Sequence, residues 1–349
     1  MINPKDNLTI LLLVKDRFYF TKRWLEYATL TQQKFPIVVA DGSSEDFLRY
    51  EVQKASGILD IEYLYPGPDK SISDFISKSI DSLRTVRTKY TYMASDDDFY
   101  FSEALEKSVK FSESHDDYVL CNGGALDFGL SVRPSLANSI FGQIRYVRQF
   151  GAYESFLEED AVSRIIKYRK SNRSYWHSVI TTECLLRSWE IAAELELTRY
   201  DTLEDFLNLY WLTQGKYMHL QNEIMLFHQV HNDMISQTLE SESVRENDVV
   251  WKMENKRIED CIAAILGGRQ ILRDHSFKMQ SKSASKSSAI SSIFKKIRDF
   301  FFIIHKKVKY KVAERFNIEP KLVLTGLQIT ENTLVQIKDI ENFLKTRKQ

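Results

Sequence analysis

The chain reads as an α/β protein: a mostly parallel central sheet with helices on both faces, followed by a helical carboxyl-terminal region. Three observations predict this. Short apolar runs alternate with stretches whose apolar residues recur at three-and-four spacing, which is the signature of strands and helices in alternation. The runs lack the in-out polarity of a half-exposed strand, so they belong to strands covered on both sides. Several runs also end abruptly in polar residues, and in an open α/β sheet that edge is where ligands bind.

The first run, Leu8 to Val14, exits into Lys15, Asp16 and Arg17. Phe20, Trp24, Leu25 and Ala28 then give a helix one buried face. Pro36 to Ala40 is a second strand that exits into Asp41-Gly42-Ser43-Ser44-Glu45-Asp46, where Ser43 or Ser44 is placed to cap the helix carrying Phe47, Leu48 and Val52. Asp60 to Tyr65 is a third strand, closed by Pro66-Gly67-Pro68, which cannot continue regular pairing. Ser71 to Val86 is a helix with Ile72, Phe75, Ile76, Ile80, Leu83 and Val86 on one stripe, and Tyr90 to Ser95 is the fourth strand. Further on, Tyr118 to Cys121 is a strand followed by a flexible turn at Asn122 to Ala125. Glu158 to Arg169 is a charged amphipathic helix, a helix carries Phe206, Leu209, Tyr210 and Trp211, and a strand lies near Tyr217 to Leu220.

Composition narrows the function classes. The 349 residues suffice for one sizeable core and a second, smaller unit, divided at 1–235 and 236–349. With 48 basic and 48 acidic residues the molecule has no bulk field to draw nucleic acid. Cys121, Cys184 and Cys261 are odd in number and far apart, which points to reduced thiols and a cytoplasmic setting. The polar start, Met1 to Asn7, is not the pattern of a secretory leader. There is neither a Gly-rich dinucleotide fingerprint nor a phosphate loop ending in Lys-Ser/Thr, which argues against a dehydrogenase or a P-loop NTPase.

The most informative stretch is Ser95-Asp96-Asp97-Asp98. Three adjacent carboxylates at a strand end repel one another and need screening by solvent, a cation or nearby positive charge. Asp96 and Asp98, two apart, are expected to point the same way and offer hard oxygen ligands to Mn²⁺ or Mg²⁺. The alternative is an acidic helix start, with Asp98 or Ser102 capping a helix near Glu103. His228 and His231 have the spacing to share one side of a helical turn, and imidazole is compatible with Mn²⁺; as isolated histidines they also suit plain packing. His177 follows Tyr175 and Trp176, aromatics that can stack on a sugar or fill the core. Arg145, Arg148, Arg164, Lys167, Arg169, Lys170 and Arg173 make one region basic, as a solvated helix face or a contact for a phosphate-bearing acceptor.

Together, the first strand with its polar exit, the run Val38-Val39-Ala40-Asp41-Gly42-Ser43-Ser44-Glu45-Asp46, and the acid triplet resemble the nucleotide-sugar domain of GT-A glycosyltransferases of the family 2 type, a Rossmann-like fold. Leu203-Glu204-Asp205-Phe206-Leu207-Asn208-Leu209, followed by Gly215-Lys216-Tyr217, is similar to that family's Glu-Asp helix and later Gly-Lys turn. The resemblance covers residues 8 to 232. It departs from the family where the usual two-residue acid motif is a triplet and between Cys121 and Tyr200, which match poorly. It implies a metal-dependent transfer of sugar from a nucleotide-sugar donor to a hydroxyl of a saccharide or lipid-linked acceptor, with inversion. By the same resemblance, Val14 and Arg17 lie near the nucleobase, Asp41 accepts a hydrogen bond from it, and Asp96 and Asp97 serve the donor site. Asp98, with Asp96 and His228, holds Mn²⁺ or Mg²⁺, and Asp205 is the general base, with Glu204 as the fallback. Read without the resemblance, Asp41 is equally a turn residue and Asp205 equally part of an acidic first turn. A nucleotidyltransferase of related fold and a non-catalytic carbohydrate-binding or scaffold protein are the alternatives.

Past residue 235 the character changes. Ser281 to Ser292 reads as a linker, and 289–312 as a basic amphipathic helix with Phe294, Ile297, Phe301 and Ile304 on one face and Lys295, Lys296, Lys306 and Lys307 around the other. Such a helix can lie on an anionic bilayer surface or pack on its own domain. The resemblance adds that bacterial sugar polymers of this type are often built on lipid carriers, which implies peripheral contact with the inner face of the cell membrane.

Overall fold

The computed structural model describes residues 6–130, 140–150, 153–171, 173–231, 249–267 and 330–347. The proposed linker at 281–292 and the basic helix at 289–312 lie outside them. Four parallel strands form the expected beginning of the sheet: β1 (Leu8–Val14), β2 (Ile37–Asp41), β3 (Ile61–Leu64) and β4 (Tyr90–Ala94). Between them run α1 (Phe18–Leu30), α2 (Leu48–Ala55) and α3 (Ile72–Thr85). Next come β5 (Phe99–Tyr100), α4 (Ser102–Glu113), β6 (Tyr118–Gly129), β7 (Tyr146–Gln149), α5 (Ala161–Ser171) and β8 (Val179–Thr181). The remainder is α6 (Thr182–Glu194), α7 (Tyr200–Gln214), β9 (Lys216–Gln229), α8 (Val249–Ile265) and α9 (Glu331–Thr346).

The strand order is β3-β2-β1-β4-β8-β6-β9-β5, with β7 paired to β6. Beyond β4 the sheet is mixed rather than mostly parallel: β8 runs antiparallel to β4 and β6, β5 antiparallel to β9, while β6 and β9 are parallel. Because side chains alternate along a strand, β1 sends Leu8, Ile10, Leu12 and Val14 into one core with α1, α2, α4 and α9. Leu11 and Leu13 go into a second core with α3 and α5 to α8. Both described helices past residue 235 therefore pack on these cores, α8 through Ile258 and Ile262 and α9 through Ile337, Ile340, Phe343 and Leu344.

Several local expectations change. Ser71 caps α3 as its type predicts, its hydroxyl accepting from Asp74 N at 3.2 Å. Neither Ser43 nor Ser44 caps α2, whose N-cap position is Phe47; both instead hold the β1 exit, Ser43 Oγ accepting from Asp16 N at 2.7 Å and Ser44 N donating to Asp16 Oδ1 at 2.8 Å. Asn122 to Ala125 is not a turn but the middle of β6. Gly123 belongs there because a Cβ would stand 2.6 Å from Glu223 O, at the irregular register where β6 meets β9. One rung away, His219 Nδ1 donates to Asn122 Oδ1 at 3.1 Å, and burial lowers the His219 pKa from 6.5 to about 4. The unfolded chain thus binds a proton at pH values where the folded one does not, so this contribution to stability is complete above pH 6.5 and is lost as pH falls through about 4. Thermal melts between pH 7 and pH 4 should fall less steeply in His219→Gln than in the parent; equal slopes would remove His219 from the account.

Helix α8 also fixes the start of α7. Glu254, fully buried, accepts from Thr198 N at 2.8 Å and Thr198 Oγ1 at 2.6 Å, and its other oxygen accepts from Thr202 Oγ1. It supplies to the amino-terminal turn of α7 the negative charge that Arg199, at the N-cap position, does not. Glu254→Ala leaves buried donors unmatched and should cost about 3 kcal/mol in urea unfolding; a change below about 0.5 kcal/mol would contradict the role.

Candidate functional site

The carboxyl-terminal ends of β1, β2 and β4 converge, as the strand pattern predicts. At the β2 end, Asp41 is fully buried; its Oδ1 accepts from Ser43 N and its Oδ2 from Tyr63 OH, both at 2.9 Å. Asp41 therefore shapes the rim from behind. Beside it, Gly42 leaves room for the Asp69 carboxylate, which a Cβ would meet at 2.1 Å. Asp69 is paired with the buried Lys78 at 2.5 Å, and Lys78 also donates to Val14 O at 2.9 Å. Lys15 Nζ reaches Asp69 O. A shallow recess opens here, lined by Val14, Lys15, Asp69, Ser71, Phe75 and Tyr200.

The acid triplet is buried, not solvated. Its members are 2, 6 and 3% exposed, and each has a different set of partners. Asp96 points to α1: Oδ1 lies 3.2 Å from Arg17 Nε and Oδ2 accepts from Thr21 Oγ1 at 2.8 Å. Asp97 takes Arg17 Nη2 at 2.9 Å and His231 Nε2 at 2.6 Å, while Arg23 Nη2 donates to its backbone carbonyl at 2.8 Å. Asp98 points to β9, where Oδ1 accepts from His228 Nδ1 at 2.8 Å and Gln229 N at 3.2 Å. The shared orientation expected of Asp96 and Asp98 is thus not observed, because Arg17 and Thr21 draw Asp96 away. Nor does Asp98 cap α4, whose N-cap position is Phe101 with no side-chain cap. His228 and His231 belong to a strand and its exit, not to a helical turn, and serve different aspartates.

These contacts set the charges. Burial lifts the Asp96 pKa to about 6 against the pull of Arg17. Burial also works against the Asp97 anion, but the hydrogen bond from His231 and the charge of Arg17 outweigh it and hold Asp97 far below the usual carboxylate range. For His228, burial opposes the imidazolium, yet Asp98, Asp97 and Asp127 together raise its pKa to about 9. His177 is lowered by burial.

Among the described residues, no three His, Cys, Asp or Glu side chains stand as a ready-made cage for a metal ion. A cation bound together with substrate phosphates needs only one or two protein ligands, and that lesser requirement is met. Asp98 Oδ2 is in a nearly buried carboxylate and accepts no hydrogen bond among the described residues; His228 sits against the other oxygen, Oδ1, and His177 Nε2 lies 3.9 Å from Oδ2. Asp98 Oδ2 is open to a divalent cation; His228, whose Nδ1 bonds to Asp98 and whose pKa is raised, would join it through Nε2 on giving up that nitrogen's proton, while each Asp96 oxygen already has one protein partner.

Asp205 lies in the second turn of α7. Its Oδ1 accepts from Tyr168 OH at 3.0 Å and Arg169 Nη1 at 2.7 Å, and its Oδ2 accepts no hydrogen bond among the described residues in a side chain 20% exposed. Glu204 stands on the α7 stripe between Tyr200 and Asn208. The Tyr200 phenol, raised by burial, also feels both Glu204 and Asp97, which ties the acid-bearing helix to the triplet. Most of the basic region is used internally: Arg164 donates to Leu212 O, Glu158 O and Glu159 O, Lys167 to Glu158, and Arg148 to Asp127.

No protein-family model matches this chain, and no curated protein does. Among solved structures it is similar to S. aureus TarS: at 14% identity and TM-score 0.45 to one crystal structure, covering 64% of this chain and 37% of that one. It is similar to TarS 1–349 in complex with UDP-GlcNAc at 13% identity and TM-score 0.49, and in complex with UDP at 15% and 0.48, each covering 82% of this chain and 77% of the other. At these values the roles of the residues rest on the geometry above.

Proposed function

We propose that the chain is a GT-A-type glycosyltransferase that moves a sugar from a nucleotide-sugar donor to a hydroxyl of a saccharide or lipid-linked acceptor, with inversion. One observation carries this reading: Asp98, past the carboxyl-terminal end of β4, and Asp205, on α7, each have one oxygen anchored by the protein and the other without a hydrogen bond among the described residues, and the first lies beside an imidazole. Those are the requirements of a cation ligand and of a general base.

The recess between Val14, Lys15 and Tyr200 offers an apolar wall and a cation for a nucleobase and its first phosphate. Arg17 is not a donor contact in this reading, since Asp96 and Asp97 claim it; its part is to hold the acid loop against α1. Asp98 and His228 would hold Mn²⁺ or Mg²⁺, which when bound supplies positive charge against the departing diphosphate. Tyr168 and Arg169 keep Asp205 oriented, and its open Oδ2 takes the proton from the attacking hydroxyl, with Glu204 the second candidate one residue away. Lys15-Asp16-Arg17 contains no glycine, so the rim lacks the loop that nucleotidyl transfer requires. Among the described residues no helix is long and apolar enough to cross a membrane; a lipid-linked acceptor would be met at the membrane surface.

Calorimetry of UDP-GlcNAc and UDP binding, with and without Mn²⁺, tests the reading. Nucleotide binding strengthened by Mn²⁺, with slow release of UDP from UDP-GlcNAc, is expected. No binding of any nucleoside diphosphate under either condition would overturn it in favour of a non-catalytic role.

A further inference from the structure

We infer that Arg173 receives a negative charge carried by the acceptor, so that the acceptor is an anionic saccharide with a phosphate or a carboxylate near the reacting hydroxyl; this rests on the function proposed above. The cations of the basic region separate by what they touch. Arg148, Arg164, Lys167 and Arg169 each have protein acceptors. Arg145 and Lys170 are exposed, and water suffices for them. Arg173 is half-buried, yet its guanidinium has no acceptor among the described residues, and none of its nitrogens is sealed from solvent. A guanidinium partly withdrawn from water gives up hydration that only an acceptor can return, and its fork of donors matches the oxygens of a phosphate or carboxylate.

The fold holds this charge beside the candidate bases. Arg173 lies between two anchors on α7. On one side, Ser171 Oγ donates to Tyr168 O at 2.8 Å, and the Tyr168 hydroxyl itself donates to Asp205. On the other, Tyr175 N donates to Asn208 Oδ1 at 2.9 Å, and Asn208 Nδ2 donates to Glu204 O at 2.7 Å. The phenol of Tyr153, whose ring packs 6.1 Å from that of Tyr175, senses both signs of charge here: burial raises it, Arg173 opposes the rise, and Asp127 and Glu204 add to it. Arg169 pairs with Asp205. An acceptor that brought a further negative charge to this turn of α7 would be repelled by its carboxylates unless a second cation met it, and Arg173 is the cation in place to do so.

Calorimetry on the full chain saturated with UDP, titrated with glucose, glucose 6-phosphate and glucuronate, compares one sugar without a charge, with a phosphate and with a carboxylate, while UDP fills the donor's phosphate positions. The parent should bind one of the charged sugars about tenfold or more tightly than glucose, the size of a single charge-assisted hydrogen-bonded pair, and the one it prefers identifies the anion. Arg173→Ala should bring that sugar down to the affinity of glucose, with affinity for UDP unchanged. Arg173→Lys keeps the charge but not the fork and should retain part of the margin. A margin below about twofold in the parent, or one that survives whole in Arg173→Ala, overturns the inference, while UDP binding leaves the glycosyltransferase reading standing. Failure of the parent to bind UDP at all overturns both.

Discussion

Asp98→Ala should abolish sugar transfer and weaken Mn²⁺-dependent donor binding by roughly a hundredfold or more, while donor binding measured in EDTA changes little. The asymmetry follows from the arrangement: Asp98 touches no recess residue in the described structure, and its open Oδ2 is the oxygen left for an ion. Since the side chain is almost buried and accepts from His228 and Gln229 N, Asp98→Asn is the better-folded companion. It keeps a neutral acceptor for both donors and removes the charge, so it should match the alanine variant in metal dependence with a smaller loss of thermal stability. Undiminished Mn²⁺-dependent affinity in Asp98→Asn would remove Asp98 from the metal site.

Asp205→Asn is the complementary case. The amide can still accept from Tyr168 and Arg169 through its oxygen, so the fold of α7 should be kept. What disappears is the proton acceptor, and kcat should drop by about 10²- to 10⁴-fold with donor affinity and its response to Mn²⁺ unchanged. Glu204→Gln serves as the comparison. If that variant takes the larger kcat loss and Asp205→Asn keeps near-parental turnover, the base is Glu204, and the Arg169 contact to Asp205 is a structural ion pair.

The parts of this fold that could be read from sequence are those whose physics is local. Leu8 to Val14 and Tyr90 to Ala94 are buried on both faces and are therefore continuously apolar, which no polar interruption disguises. Three strands were missed, Phe99–Tyr100, Tyr146–Gln149 and Val179–Thr181; all are too short to show a clear period and exist because a distant partner pairs with them. β9 is harder to read for another reason: its Gln221-Asn222-Glu223 segment has no partner in β6 and interrupts the register between Leu220 and Ile224. The site divides along the same line. That an anionic cluster would close the fourth strand was legible; which carboxylate faces outwards was not, because Arg17 arrives from the β1 exit and His231 from the end of β9. That Tyr63 would bond to Asp41 was not legible either, because the phenol comes from the neighbouring strand. His177 was visible only as a neighbour of Tyr175 and Trp176. Its position next to Asp98 depends on the β4–β8 pairing, for which three residues of β8 gave no warning.

The guanidinium groups of Arg17 and Arg23, packed over Phe20 and against the acid loop, have a consequence for the working cycle. Repulsion within the loop is already answered by the polypeptide, so folding need not wait for a metal, and chelators should strip activity without unfolding the protein. In the proposed reaction the ion would then arrive with each donor and leave with each spent diphosphate, as a travelling companion of the substrate and not a permanent lodger.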